Sequence, residues 1–524
     1  MHGWSFPSKA TIYCSHPFLK RGAVQLLAEK SQFMNEPTSS SIPPAVSSHF
    51  GKLTVLEKIG FGVGDLASGL LFSTFNMFLL FFYTNVVGLS ASAIFWIFMV
   101  AKFWDMVNDP IMGAIADRTH TRLGRYRPYI LFLAIPYGIS AYMLFTVPEM
   151  SQTAKVMYCG GTYIIATMMY TGVNIPYCAL MGVLTPDVQE RTSVSQYRFF
   201  LAFLGGWLIN TFTLPLARLF GGDTGSRNFN SEIGYDPVAG FSTTMMVFGI
   251  LAALLFLMTF LTTRERIVPA AKENTPFRQD VKDLFRNLPW LILFASAVLN
   301  LTHIAIRNGA MLYYLNYCVA DSAEILFSIN FSLFEIDVSR VVLFMSAGSL
   351  VAVIGVAFTQ VLVRRFGKAR VYMYVLLIQA VLEGLIYFAG KDGYSLILSL
   401  NTLSNLVSGM GAAVIFAMYA DVADYSEWKT TRRATGLIIA TILFAIKGGL
   451  WLGGQVLTGT LALIGYTATT AGDPGIQEWI QSLFTWIPAS LGIAAGVLML
   501  KYPITDELMK RISVELETRK AALS

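Results

Sequence analysis

The chain has 524 residues, of which 55% are apolar and 13% charged, with a net charge of +6 and a mean hydropathy of +0.57. Soluble domains carry about 25% charged residues, so this chain has too little charge to cover itself in water. The positive excess is not gathered into a patch beside aromatics, which argues against nucleic acid as a partner.

Residues 1–55 read as a disordered cytoplasmic tail: Ser, Pro and His recur and no apolar run reaches span length. The one apolar cluster, 23–28, is broken by Gln25 and too short for a signal-peptide core. Met34 is an alternative start to Met1. From Val55 onward the apolar runs lengthen, as at 66–87, 91–107, 129–147, 241–262 and 343–363. About 20 apolar residues cross a bilayer as a helix. The pattern predicts an all-α membrane protein of about twelve transmembrane helices. They are placed at 57–86, 91–116, 127–147, 154–185, 193–219, 239–263, 288–319, 340–363, 370–389, 394–424, 433–464 and 477–502. The stretches 220–238, 264–287 and 320–339 read as irregular. The four cysteines (Cys14, Cys159, Cys178, Cys318) lie far apart and read as buried free thiols.

Basic residues alternate between connections. One set holds Arg118, Arg122, Arg125 and Arg127, then Arg264, Arg266, Lys272, Arg278, Lys282 and Arg286. It continues with Arg364, Arg365, Lys368 and Arg370, with Lys429, Arg432 and Arg433, and with Lys510, Arg511, Arg519 and Lys520. The opposite set has few, among them Lys155, Arg227 and Lys391. By the positive-inside rule both termini are cytoplasmic. A faint repeat agrees with this: Asp117-Arg118-Thr119-His120-Thr121-Arg122-Leu123-Gly124-Arg125 after span 2 is echoed by Arg364-Arg365-Phe366-Gly367-Lys368-Ala369-Arg370 after span 8. The expected organisation is therefore two pseudo-symmetric six-helix halves, 56–263 and 288–503, a cytoplasmic linker at 264–287 and a cytoplasmic tail at 504–524. Such a repeat is a transporter architecture, with the substrate site near the midplane between halves.

Ionisable residues inside spans are costly, so each is expected to face a cavity or a partner. They are Asp65, Lys102, Asp105, Asp109, Arg198, Arg307, Glu383, Asp421, Asp424 and Lys447. Asp105 and Asp109, four apart, share one helix face at about 6 Å, and Asn108 adds an amide oxygen on nearly the same face. Two close carboxylates in low dielectric need a cation or a proton between them, so they are a candidate coupling site for Na⁺ or H⁺. With Na⁺, Asp105 and Asp109 would be its ligands. The opposing reading is a structural pairing with Lys102 and Lys447. Arg198 and Arg307 are candidates to offer a guanidinium fork to substrate hydroxyls or to bridge a carboxylate. His303 reads as a satisfied core or mouth residue, and Glu383 has no partner legible in the sequence. Gly60-Phe61-Gly62-Val63-Gly64 follows no strand and is no nucleotide loop; its small residues permit close helix approach.

Four segments then carry a resemblance: Lys58-Ile59-Gly60-Phe61-Gly62-Val63-Gly64-Asp65, Trp104-Asp105-Met106-Val107-Asn108-Asp109-Pro110-Ile111-Met112-Gly113, Val173-Asn174-Ile175-Pro176-Tyr177 and Ala420-Asp421-Val422-Ala423-Asp424-Tyr425. Over about residues 55–505 the chain resembles the glycoside–pentoside–hexuronide:cation symporters, the melibiose-permease-like branch of the major facilitator superfamily. The resemblance implies the major facilitator fold and a cation site at Asp105, Asn108, Asp109 and Thr171, with Lys447 as its helix 11 lysine. It also implies sugar recognition by Arg198; Asp65, Gly69, Tyr170 and Asn174 are the further substrate-binding candidates along the path. Gly69 and Asn174 stand where the melibiose permease has its two sugar-binding aspartates, and Cys178 replaces a tryptophan. The galactoside-type carboxylate clamp is thus absent, with Asp65 one turn away as a partial replacement or as a helix-packing residue.

The expected function is symport of a sugar or glycoside with Na⁺ or H⁺ across the cell membrane, a bacterial inner membrane, with lipids as the surrounding partner and no enzymatic activity or other cofactor. Transport of a non-sugar solute such as a lysolipid, and a non-transporting sugar sensor, are the alternatives.

Overall fold

Thr54 and Glu57 cap the first helix reciprocally, each side chain taking the other's backbone N–H, at 3.2 and 2.9 Å. Helix α1 (Val55–Met77) is bent by 44° where it passes into Leu79–Phe81 and a π-helical turn, Phe82–Val86. The computed structural model describes residues 52–185, 187–222, 235–266, 284–330, 335–430 and 435–523. The expected tail up to residue 51, most of the linker, and Cys14, Arg227, Lys272, Arg278, Lys282, Arg432 and Arg433 lie outside the described residues.

The remaining spans of the first half are α2 (Ala91–Arg118), α3 (Arg127–Leu144), α4 (Gln152–Leu184), α5 (Val188–Gly221) and α6 (Pro237–Thr262). The second half comprises α7 (Leu288–Cys318), α8 (Arg340–Phe366), α9 (Lys368–Leu385), α10 (Tyr394–Thr430), α11 (Thr435–Leu463) and a twelfth span split into α12 (Pro474–Phe484) and α13 (Trp486–Met499). Among the described residues, eight helices are long and apolar enough to cross a membrane, or nine with the bent first pair; α2, α3 and α11 lie at the positions of the other expected spans. The packing repeats between halves: α1 on α5 matches α7 on α11, α2 on α4 matches α8 on α10, and α3 on α6 matches α9 on α13. The halves meet through α2 with α11 and α5 with α8.

The glycines opening α1 act through their missing side chains. A Cβ at Gly60 would collide with Thr262 of α6, and one at Gly64 with the Tyr177 ring of α4. These are the close approaches that small residues permit in membrane bundles.

One sequence expectation needs correction, and two expected segments gain detail. The stretch 320–339 is not irregular: Ile325–Asn330 (β1) and Glu335–Ser339 (β2) form an antiparallel hairpin, because β-branched and aromatic residues there favour a strand. The tail after 504 contains a helix, α14 (Asp506–Leu523), which buries Met509, Ile512 and Leu516. The twelfth span is not continuous, breaking at Thr485. The connection after α2 is anchored to the start of the linker: the Glu265 carboxylate accepts from the backbone N–H groups of Arg125, Tyr126 and Arg127 at 2.8, 2.7 and 3.2 Å. A carboxylate there meets the positive end of α3.

Candidate functional site: a carboxylate pair beside a central cavity

Asp105 lies about 21 Å along α2, near the middle of a helix of about 42 Å. One turn on, Asp109 shares its face. From α11, Lys447 Nζ reaches both, at 2.8 Å from Asp105 Oδ2 and 2.6 Å from Asp109 Oδ2. From α4, the fully buried Thr171 hydroxyl stands 2.9 Å from Oδ1 of each. One hydroxyl has one proton, so Thr171 donates to one carboxylate at a time. Three helices thus bring together the residues Asp105, Asp109, Thr171 and Lys447. All three ionisable side chains are less than one-fifth exposed. Lys447 is the positive charge that lets the two carboxylates coexist.

Two expected neighbours behave differently. Among the described residues Asn108 bonds to neither carboxylate; it is turned about 60° around the helix from Asp105 and about 100° from Asp109. Lys102 makes no ion pair among them either; its ammonium lies 5.5 Å from the Phe98 ring centre. It does line, with Asp105, Lys447 and Tyr170, a small cavity beside the carboxylate pair.

Across three of its lining residues, Phe72, Asn76 and Leu450, this small cavity adjoins a larger one of about 320 Å³. The larger cavity lies between the halves, with walls from α1, α5, α7, α8, α10 and α11. Its polar lining consists mainly of amides, Asn76, Asn210, Asn308, Asn401 and Asn405, together with Trp207. Amide groups both donate and accept, and an indole offers a flat apolar face, a lining suited to hydroxyl-rich solutes with apolar ring faces. Sequence reasoning missed these residues. Their signal was present: polar amides inside apolar spans, two of them (Asn401 and Asn405) four apart on one helix face.

The other substrate candidates fall into two groups. Gly69 on α1 faces open space, where a Cβ would touch nothing within 4 Å. Tyr170 stacks on Phe72 at 4.7 Å, so it backs the cavity wall. Arg198 makes a two-pronged ion pair with Asp65, its Nη2 lying 3.3 Å from Asp65 Oδ1 and 3.3 Å from Cys178 Sγ. Asp65 is therefore Arg198's counter-ion. Asn174 accepts from Ser68 at 3.4 Å. Arg307 stands apart: of its two expected roles, a fork to substrate hydroxyls or a bridge to a carboxylate, the geometry shows the bridge. It is 5% exposed, does not line the cavity, and is engaged by Glu383 at 3.4 Å and Asn401 at 2.8 Å. Glu383, without a legible partner in the sequence, binds His303 at 2.5 Å in the same buried cluster.

At the end of the bundle where α1 finishes, hydrogen bonds tie the halves together. The Thr84 hydroxyl meets that of Tyr313 at 2.6 Å, Asn85 donates to the Tyr317 hydroxyl, and the Tyr466 hydroxyl donates to Asn85 Oδ1 at 3.1 Å.

A model of the family described as MFS/sugar transport protein matches residues 60–506. The inner membrane symporter YicJ of Escherichia coli (strain K12) is 32% identical over 89% of this chain and 96% of its own. The isoprimeverose transporter of Lactiplantibacillus pentosus is 30% identical over 94% and 97%. The crystal structure of a D-xylose-proton symporter superposes with a TM-score of 0.53 over 86% of this chain and 96% of that one; at 14% identity this speaks to the fold alone. The repeated helix packing, the family match and these relatives agree: the chain is a multi-pass membrane protein with the major facilitator fold and belongs to the MFS/sugar transport protein family.

Proposed function

We propose that the protein is a symporter that moves a sugar or glycoside with Na⁺ or H⁺ by alternating access. The observation that carries this reading is the position of the carboxylate pair: Asp105 and Asp109 of the first half are bridged by Lys447 of the second, beside a cavity lined by amides and a tryptophan. The cation and Lys447 compete for the same carboxylate oxygens. A cation at Asp105 and Asp109, with the Thr171 hydroxyl, frees Lys447 and so loosens the tie between α2 and α11. Occupancy of the larger cavity acts on the same place through Phe72, Asn76 and Leu450, which both cavities share. Breaking the bonds of Thr84, Asn85 and Tyr466 to the opposite half opens the other route. The amide lining supports a sugar over a lysolipid, which calls for an apolar path.

In this scheme 56–263 and 288–503 are the two units that rock, and the basic connections face the cytoplasm of a cell whose inner membrane holds the protein. Each positive charge moved inward gains about 2.3 kcal/mol per 100 mV, enough for about 50-fold accumulation of the sugar. Proteoliposomes given an inward Na⁺ or H⁺ gradient and a panel of labelled neutral glycosides test the reading. Accumulation of one glycoside above its outside concentration, abolished by an ionophore, is the expected result. Downhill equilibration alone, at the same rate with and without either gradient, contradicts coupling.

A further inference from the structure

The wall of the larger cavity formed by α8 and α10 is held in place by a buried ionic cluster. Glu383 of α9 is fully buried and is approached by four neighbours: His303 Nε2 at 2.5 Å, Ser404 Oγ at 2.8 Å, Gln379 Nε2 at 3.1 Å and Arg307 Nε at 3.4 Å. Arg307, with its guanidinium 4.5 Å from the Phe484 ring centre, points its Nη2 at the Asn401 side chain, 2.8 Å away. Arginine has no acceptor, so the facing atom is Asn401 Oδ1. Asn405 Nδ2 donates to that same oxygen at 3.2 Å and to the Asn401 carbonyl at 2.9 Å. These contacts leave two groups for the cavity that both residues line. One is Asn401 Nδ2, held only by a long 3.5 Å contact to the Phe344 carbonyl; the other is Asn405 Oδ1. Gly348 of α8 makes room for them: a Cβ there would lie 3.1 Å from Asn401 Nδ2 and 3.0 Å from Asn405 Nδ2.

We propose that Asn401 and Asn405 are the second-half contribution to the substrate site and read the hydroxyls of a neutral glycoside. This rests on the sugar reading above and adds which residues and which class of sugar. Asn401 Nδ2 donates to a hydroxyl oxygen and Asn405 Oδ1 accepts a hydroxyl proton. Asn210, across the cavity on α5, has a buried Oδ1 with no partner among the described residues, a further acceptor for the same ligand. Neutrality is read from this wall: no ionisable side chain lines this cavity among the described residues, the guanidinium groups of Arg198 and Arg307 are committed to Asp65 and Glu383, and the ammonium groups of Lys102 and Lys447 line the adjoining small cavity instead. A uronide or sulfonate finds no free cation on this wall. Arg307 is a positioning residue that acts through Asn401.

The test is titration calorimetry on the full chain in nanodiscs. The probes are the α and β anomers of p-nitrophenyl xylosides and glucosides, their monodeoxy derivatives, and the matching glucuronides. Neutral probes are expected to bind, with glucuronides weaker by about tenfold or more. Asn401→Leu and Asn405→Leu should each weaken the neutral probes about tenfold. Each should also abolish the discrimination between parent and one particular deoxy derivative, which a structural defect does not do. Gly348→Ala, whose Cβ presses on the amides of Asn401 and Asn405, should weaken binding too, and Arg307→Lys should weaken it partially. Glucuronides binding as tightly as neutral probes, unchanged affinity in all four variants, or equal weakening toward every probe overturns the assignment alone. No binding of any neutral glycoside to the folded protein overturns the sugar reading itself.

Discussion

Replacing Lys447 by Met removes one charge and keeps most of the side-chain length, so its consequence follows from the carboxylates it leaves behind. In the protein, Lys447 Nζ is 2.8 and 2.6 Å from the two Oδ2 atoms, while both Oδ1 atoms stand 2.9 Å from the Thr171 hydroxyl. Without the lysine, two carboxylates share one helix face at about 6 Å with one hydroxyl proton between them. At an effective dielectric of about 20, their repulsion is about 3 kcal/mol. A cation that enters relieves that repulsion and no longer competes with the ammonium. Its affinity should rise by about 100-fold, since 1.4 kcal/mol is a factor of ten. The same capture holds the cation too tightly for release, so net symport should fall while binding improves. Sodium titration by calorimetry, and proton uptake measured with a pH indicator in sodium-free buffer, read the two candidate ions separately. Wild-type affinity for both ions in Lys447→Met would refute the competition between lysine and cation.

Three further outcomes follow from the same geometry. Asp109→Asn keeps an oxygen for Thr171 and leaves Lys447 on Asp105, so the fold should stand while gradient-driven accumulation drops from about 50-fold to none; counterflow exchange of preloaded sugar, retained in the variant, separates lost coupling from lost binding. Removing the tie at the end of α1 by the double change Asn85→Ala and Tyr313→Phe deletes neutral hydrogen bonds of about 1 kcal/mol each. It should shift the opening of that end about tenfold or more, read as faster maleimide labelling of a cysteine placed at Asn308; unchanged labelling contradicts the gate. Arg307→Met strands the Glu383 carboxylate in the second half at a cost of about 3–5 kcal/mol. The thermal midpoint should fall sharply in Arg307→Met and recover in Arg307→Met/Glu383→Gln, and no recovery would contradict the pairing.

The parts of this picture that were legible in the sequence are those carried by a single helix. The span positions follow from apolar run length, and the shared face of Asp105 and Asp109 follows from a spacing of four. Lys447 stood out as an ammonium between the apolar runs 438–446 and 448–456. What the sequence hid is pairing between helices. Glu383 gave no hint of a partner because its neighbours His303, Arg307 and Ser404 come from α7 and α10. Arg198 and Arg307 carry the same charge, yet only packing puts the first beside Asp65 and the second beside Glu383. The hairpin at Ile325–Asn330 and Glu335–Ser339 is faint in the sequence because its strands are only five or six residues long, far below span length. The cavity's amides are neutral, so their place inside a span costs less than a charge and leaves a weaker signal in the sequence.

The central claim is that a cation at Asp105 and Asp109 and a sugar in the adjoining cavity cross the membrane together. The most direct measurement is cation entry driven by sugar alone. Proteoliposomes are loaded with a fluorescent reporter of Na⁺ or of pH, both sides hold equal ion concentrations, and the transported glycoside is added outside. The account predicts entry of one of the two ions on sugar addition, in fixed proportion to sugar uptake, and none in the Asp105→Asn/Asp109→Asn variant. Sugar entry with no movement of either ion, or ion entry undiminished in the double variant, would contradict it.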